Sequence, residues 1–382
     1  MGFFLDTAYR SLKKHGEELC GDQVAMERIG DRLIIVMSDG LGSGVKANIL
    51  ATLTSRIAVT MLKEGAILEE TVDTIARTLP VCSVRNLAYS TFTVIEAFED
   101  GRVHTVEFDN PAYILTRKTE SGIPEKTMST IAGKSIWESD FIMDDGDCLS
   151  VVSDGVLYAS QGMILNQGWG WEDVRDFLKD SARAEKSASG IALQLSVFCN
   201  VLYDLKPGDD ATVLTLAVRK NEGLTIFTGP PLRAEDDRRL ADAFLNASGK
   251  VAVSGGTTAA ILARETGREI EAEISDMDEL VPPTSRLEGA DIVTEGALTL
   301  ARTADLLEEF LSPTDDDIFL KLRKRNGAAR LARMIIDSTD ITIWLGSAVN
   351  LANSDTHIRS LDVMRIMEAA KSLGRNTKLV MI

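Results

Sequence analysis

Asp39 stands at the end of an apolar run, Leu33-Ile34-Ile35-Val36-Met37, on a turn that reads Ser38-Asp39-Gly40-Leu41-Gly42-Ser43-Gly44. A second run, Leu149-Ser150-Val151-Val152, ends the same way in Ser153-Asp154-Gly155. Asp22 follows Gly21 just ahead of the segment Val24–Arg28, and Asp209 and Asp210 stand between Pro207-Gly208 and the apolar run Ala211–Val218. Crowded carboxylates repel one another unless cations sit among them. An all-oxygen ligand set without His or Cys suits Mg2+ or Mn2+ rather than zinc. Two such ions, about 3.5–4 Å apart, can activate a bridging water for in-line attack on phosphorus. The chemistry within reach of this set is metal-assisted hydrolysis of a phosphoester.

Strands and helices must bring these residues together. Leu33–Met37 reads as a buried strand, and Val45–Leu62 as the helix that follows the glycine-rich turn. Val45, Ile49, Leu53, Ile57 and Met61 recur at helical spacing beside Ala47, Leu50, Ala58 and Leu62, which predicts a wide buried face. Glu99-Asp100-Gly101-Arg102 reads as a hairpin turn between Thr91–Ala97 and Val103–Phe108, and Asp144-Asp145-Gly146-Asp147 as a similar turn. Trp171 to Tyr203 holds two further helical segments. Residues 1–219 therefore read as an antiparallel α+β layered domain. Lys220-Asn221-Glu222-Gly223 marks a boundary. Beyond it, over 222–382, strands and helices alternate as in a smaller three-layer α/β domain.

Taken in order, Asp22, the Ser38–Gly44 loop, Ser153-Asp154-Gly155 and Gly208-Asp209-Asp210-Ala211-Thr212-Val213 resemble the metal-dependent serine/threonine phosphatases of type 2C. The loop and the closing Asp-Asp-Ala-Thr-Val most resemble the bacterial branch typified by the sporulation stage II protein E phosphatase. The resemblance covers residues 1–219. It implies an α-β-β-α sandwich, two stacked antiparallel sheets flanked by helices, with two Mn2+ or Mg2+ ions at one edge. It implies that Asp39 and Asp22 serve catalysis, with Asp39 bridging the ions. The Gly40 carbonyl and Asp22 would hold one ion, Asp154 and Asp209 the other, and Asp210 would stand one step behind. Relatives outside this branch use an Arg to bind phosphate and a His as general acid. Neither is in the matching place here, Arg10 being distant in sequence, so the group that protonates the leaving oxygen is unassigned.

The implied substrate is a phosphoserine or phosphothreonine on a regulatory protein, of which an anti-sigma-factor antagonist is the usual kind. Two other readings stand beside it. One is a catalytically weak, phosphatase-like binding protein controlled by a ligand at the C-terminal domain; the other is a phosphomonoesterase acting on small molecules.

Composition narrows the field. The net charge of −17 disfavours nucleic acid as a partner. No apolar run reaches the roughly 20 residues a membrane span needs, and no signal peptide is read at Met1–Asp6. Cys20, Cys82, Cys148 and Cys199 lie far apart in sequence and suggest reduced thiols, which fits a cytoplasmic protein. His15, His104 and His357 read as structural or solvated, and Asn110-Pro111 as a turn that could border the active edge. In the C-terminal domain Ser254-Gly255-Gly256-Thr257-Thr258 joins a strand to a helix. The backbone N–H groups of Gly255, Gly256 and Thr257 could hold an anion, although no Lys follows as in a P-loop. Thr294-Glu295-Gly296 repeats that geometry. This domain would sense a ligand, pair two copies into a homodimer or recruit the partner.

Overall fold

The computed structural model describes residues 2–78, 90–118, 120–131, 133–160, 169–273, 281–312, 317–348 and 355–382. Cys82 and the acidic pair Asp315-Asp316 lie outside the described residues, as does the side chain of His357. The chain divides into two compact units, Met1–Lys220 and Asn221–Ile382.

The first unit opens with β1 (Phe4–Leu12), β2 (Asp22–Ile29), β3 (Arg32–Gly40), α1 (Gly44–Lys63) and α2 (Leu68–Thr78). It continues through β4 (Ser90–Phe98), β5 (Arg102–Phe108), β6 (Ile114–Thr116), β7 (Ser121–Gly122), β8 (Thr127–Ile131), β9 (Lys134–Ile142) and β10 (Cys148–Val152). It closes with α3 (Asp154–Leu157), α4 (Trp171–Ala184), α5 (Ala188–Leu202) and β11 (Ala211–Arg219). Two antiparallel sheets result, one ordered β1-β11-β10-β6-β7 and the other β2-β3-β4-β5-β9-β8.

Their stacking follows from strands that are apolar on both faces. Along β3, Leu33, Ile35 and Met37 point inward, onto Leu149, Val151, Leu214 and Leu216 of the other sheet. The alternate residues Ile34 and Val36 point outward onto Leu50, Ala58 and Leu62 of α1 and onto Val72 and Ile75 of α2. Val152 and Val213 of the first sheet point outward onto Val174 and Leu178 of α4 and Ile191 and Leu195 of α5. The unit is thus a helix–sheet–sheet–helix sandwich.

The structure corrects the expected face of α1. Val45, Ile49 and Leu53 are exposed, and the buried stripe is Ala47, Leu50, Ala51, Thr54, Ala58 and Leu62. A strict four-residue spacing drifts around a helix of 3.6 residues per turn. The small residues face the sheet because α1 lies against the backbone of β3. A Cβ added at Gly40 would fall 2.1 Å from the Ala47 carbonyl oxygen.

The second unit comprises β12 (Gly223–Thr228), α6 (Asp237–Leu245), β13 (Lys250–Ser254), α7 (Gly256–Thr266), β14 (Ile270–Glu273), β15 (Thr284–Leu287) and β16 (Ile292–Thr294). There follow α8 (Ala297–Leu311), α9 (Ile318–Arg323), α10 (Gly327–Asp337), β17 (Asp340–Leu345), α11 (Asp355–Ser372) and β18 (Asn376–Met381). Its sheet is ordered β14-β15-β16-β13-β12-β17-β18, parallel from β16 to β18 and antiparallel at the β14–β15 edge. Helices α6 and α7 pack together on one face, and α8 packs with α10 and α11 on the other. No helix among the described residues is long and apolar enough to cross a membrane.

Candidate active site

Strand register brings the first two carboxylates together. The β2–β3 pairing sets Asp22 directly opposite Asp39, and the β3–β4 pairing sets Thr91 beside Asp39 and Ser90 beside Gly40. The Ser90 hydroxyl donates to the Asp39 carbonyl (2.8 Å). Asp154 begins α3, where the Ser153 backbone N–H donates to the Thr212 carbonyl and the Thr212 N–H donates to Ser153 Oγ. That exchange ties the Asp154 turn to the start of β11, directly after Asp209 and Asp210.

A cavity of about 530 Å3 opens at this edge of the sandwich. Asp39, Asp154, Asp209 and Asp210 line it, with Gly40 to Ser43, Ser90, Thr91 and, among the described residues, a single cation, Lys14. Asp22 is not part of the wall; it lies beneath, 2% exposed. Asp210, expected one step behind the others, is among the lining residues, and Asp22 is paired with Asp39 by register. The Asp210 carboxylate accepts from the Lys14 backbone N–H (3.0 Å) and, by Oδ1 of Asp209, its own backbone N–H is held in turn (3.1 Å).

The electrostatics are those of carboxylates crowded together in a buried setting. Burial pushes the Asp39 carboxyl up to about 9, and the charges of Asp22, Asp154, Asp209 and Asp210 push the same way. Burial likewise raises Asp22 to about 7, helped by Asp210 and Asp154. Asp154 is raised by burial and by Asp209. Among the described residues, no hydrogen-bond partner within bonding geometry meets the buried Asp22 oxygens or Asp210 Oδ2.

Such orphaned oxygens cost folding free energy unless a cation meets them. By donor chemistry the set fits Mg2+ or Mn2+. Among the described residues, however, no three His, Cys, Asp or Glu side chains are gathered at metal-ligating distances.

Lys14 escaped the sequence reading. Its ammonium lies 3.6 Å from Asp209 Oδ1. The signal was the pairing of the first strand with the last: Leu12 lies opposite Ala211, so residues just after β1 must meet those just before β11. Asn110 proves a support for the wall, donating to Thr93 Oγ1 (2.9 Å) and accepting from Thr91 Oγ1 (3.4 Å). His15 is exposed, His104 of β5 bonds Asp140 of β9, and Cys20, Cys148 and Cys199 are free thiols. Gly255, Gly256 and Thr257 belong to the second unit, at the turn between β13 and α7.

The family model of the stage II sporulation protein E (SpoIIE) matches residues 29–219, half of the 382-residue chain. No curated protein sequence matches. Among solved structures, the phosphatase domain with a fragment of the regulatory domain of SpoIIE from Bacillus subtilis is 17% identical over 58% of this chain and 65% of that chain, with a TM-score of 0.49. The RsbU and RsbW domains of a Mycobacterium tuberculosis protein are 17% identical over 64% and 68%, TM-score 0.47. The SiaA-PP2C domain of Pseudomonas aeruginosa is 16% identical over 55% and 85%, TM-score 0.44.

Proposed function

This chain belongs to the stage II sporulation protein E family, and on that premise we propose that it is a metal-dependent protein phosphatase. It removes phosphate from serine or threonine of a bacterial regulatory protein in the cytoplasm, an anti-sigma-factor antagonist being the favoured class. The observation that carries the reading is the cavity wall: among the described residues, four carboxylates from three separate turns face one lysine.

Mn2+ or Mg2+ held by Asp39, Asp154 and Asp209, with Asp22, Asp210 and the Gly40 carbonyl in support, would supply Lewis-acid activation of water and charge neutralisation at the phosphoryl group. The chain's own residues do the rest. The strand ends fix Asp39 and Asp154 on opposing sheets, so the site's width is set by the sandwich. Ser90 and Asn110 lock the floor beneath the Asp39 turn. Lys14, released from Asp209 once that carboxylate is otherwise neutralised, orients the substrate phosphate and offsets its charge.

Phosphate release from phosphoserine and phosphothreonine peptides, with phosphotyrosine peptides and small phosphoesters in parallel, tests the assignment. Turnover of the first two that requires Mn2+ or Mg2+ is expected. Turnover that survives a chelator, or is confined to small phosphoesters, refutes it.

Lys14→Gln lowers kcat/KM by about 10- to 100-fold, the worth of one hydrogen bond to a charged group. It also weakens product inhibition by inorganic phosphate, whereas Lys13→Gln changes neither. Unchanged kinetics and phosphate inhibition in Lys14→Gln would reduce the Lys14–Asp209 contact to a surface ion pair.

A further inference from the structure

In the second unit the chain leaves β12 through α6 toward β13, and leaves β17 through α11 toward β18. The winding therefore reverses between β12 and β17. In an open parallel sheet such a reversal forms a crevice at the carboxyl ends of the two strands, the place where ligands bind.

That edge is polar on one face. Phe227 packs edge-to-face on Phe244 of α6, so Thr228, next along β12, points to the opposite layer, that of α8, α10 and α11. Register sets Thr228 beside Ser254 and Ser254 beside Thr294. Hydroxyls thus stand in a row across neighbouring strand ends. Thr294 Oγ1 donates to Ser254 Oγ, and Ser254 Oγ to the Glu295 carbonyl. Thr228 Oγ1, at the end of the row, is fully buried and has no hydrogen-bond partner among the described residues.

Arg359 of α11 reaches the same strand end. A Cβ built on Gly229, the residue after Thr228, would lie 3.0 Å from Arg359 Nη1 and 2.8 Å from the Gly346 carbonyl oxygen that follows β17. Arg359 Nε and Nη1 are buried and, among the described residues, unpartnered. Asp362, three positions along the helix, pairs with Arg365 instead (3.1 Å). Buried donors without an acceptor are costly, and these two stand at the strand end that carries the Thr228 hydroxyl, likewise unpartnered among the described residues.

One strand further, about 4.8 Å away, Gly255 turns with φ +117° and opens α7. The first backbone bond of that helix is Ala259 N–H to the Gly255 carbonyl. The exposed N–H groups of Gly256 and Thr257 therefore have no helical partner.

We propose that this unit binds a phosphate-bearing small molecule at the β12–β17 crevice, with the phosphoryl oxygens taken by Arg359 and the Thr228 hydroxyl. Phosphate suits the site better than carboxylate because the donors are many and diverge: two guanidinium N–H groups, a hydroxyl and the start of a helix. Every residue of this site belongs to the second unit, and the proposal does not rest on what the carboxylate cavity does.

The test is titration of the full chain with inorganic phosphate, and with AMP, under a chelator, followed by calorimetry and thermal shift. Saturable binding is expected. It should weaken by about tenfold or more in Arg359→Met and in Thr228→Val, as loss of a hydrogen bond to a charged group implies, and persist in Lys14→Gln. Without phosphate, Arg359→Met should melt about 2–4 °C higher, because two buried N–H groups that lack an acceptor among the described residues are gone. The proposal falls if neither probe saturates, if acetate binds as tightly as phosphate, if Arg359→Met binds phosphate like the parent, if Lys14→Gln abolishes binding, or if Arg359→Met melts lower without ligand.

Discussion

Asp39→Asn lowers metal-dependent phosphate release by about three orders of magnitude and leaves the fold in place. Lewis-acid stabilisation is worth several kcal/mol at the transition state, and each 1.4 kcal/mol is about tenfold in rate. Asp39 sits where that stabilisation is organised. It faces the cavity, lies opposite Asp22 by register and is within electrostatic reach of all the other carboxylates. The side chain of Asn has the same shape but carries no charge.

A second readout separates this reading from a merely structural role. Burial pushes the folded Asp39 carboxyl up to about 9, from an ordinary value of 3.8. Between those values the native chain holds more protons than the unfolded one, so this group's contribution to stability is lost as pH rises. Without added metal, the parent protein should therefore lose more stability between pH 5 and pH 9 than Asp39→Asn does. Added Mn2+ should recover much of that loss in the parent and little in the variant. Melting curves across this range, read beside hydrolysis of para-nitrophenyl phosphate, check both arms. Parent-like activity in the variant sinks the assignment of Asp39, and a variant that is unfolded at pH 5 shows the role to be structural.

How far the sequence alone reached depended on which physical signal each feature left. Apolar runs leave a local signal, so the ends of β3 and β10, and hence the places of Asp39 and Asp154 in the chain, could be read directly. Pairing leaves none. That Asp22 faces Asp39 across two strands, and that Lys14 meets Asp209 across β1 and β11, follows from register, which is set by the whole sheet. The face of α1 was misjudged for the same reason. Val45, Ile49 and Leu53 have the right composition and spacing, yet the sheet accepts only the stripe with Ala47 at its closest approach. In the second unit the alternation of strand and helix was legible from the runs around Ile341–Leu345 and Lys378–Ile382. The crevice beside Arg359 was not, because it depends on the order in which the strands assemble.

The glycines of the two Asp-Gly turns are needed for a reason that composition does not reveal, and Gly155→Ala exposes it. Neither Gly40 nor Gly155 has a positive φ, unlike Gly42 (+107°) and Gly44 (+67°) in the same loop as Gly40. What they lack is room. A Cβ at Gly155 would lie 2.0 Å from the Asp210 carbonyl oxygen and 2.9 Å from its carbon, as one at Gly40 would strike Ala47. The obstacle is backbone, which cannot rotate away as a side chain can. Asp154 can share a cavity with Asp209 and Asp210 only because the chain beside it carries no side chain, and Tyr203 Oη fastens the same residue by donating to the Gly155 carbonyl (2.7 Å). Gly155→Ala should therefore cost about 4 kcal/mol or more, in the range reached only by severe overpacking or strain. Activity should fall with it, because any relief moves Asp154 away from Asp210. Gly122→Ala, in β7 with nothing within 4 Å of the added atom, should stay within about 0.5 kcal/mol of the parent. Urea unfolding of both variants measures the difference. Near-parent stability in Gly155→Ala would mean that the two turns can separate at little cost, and the cavity would then owe its shape to something other than this contact.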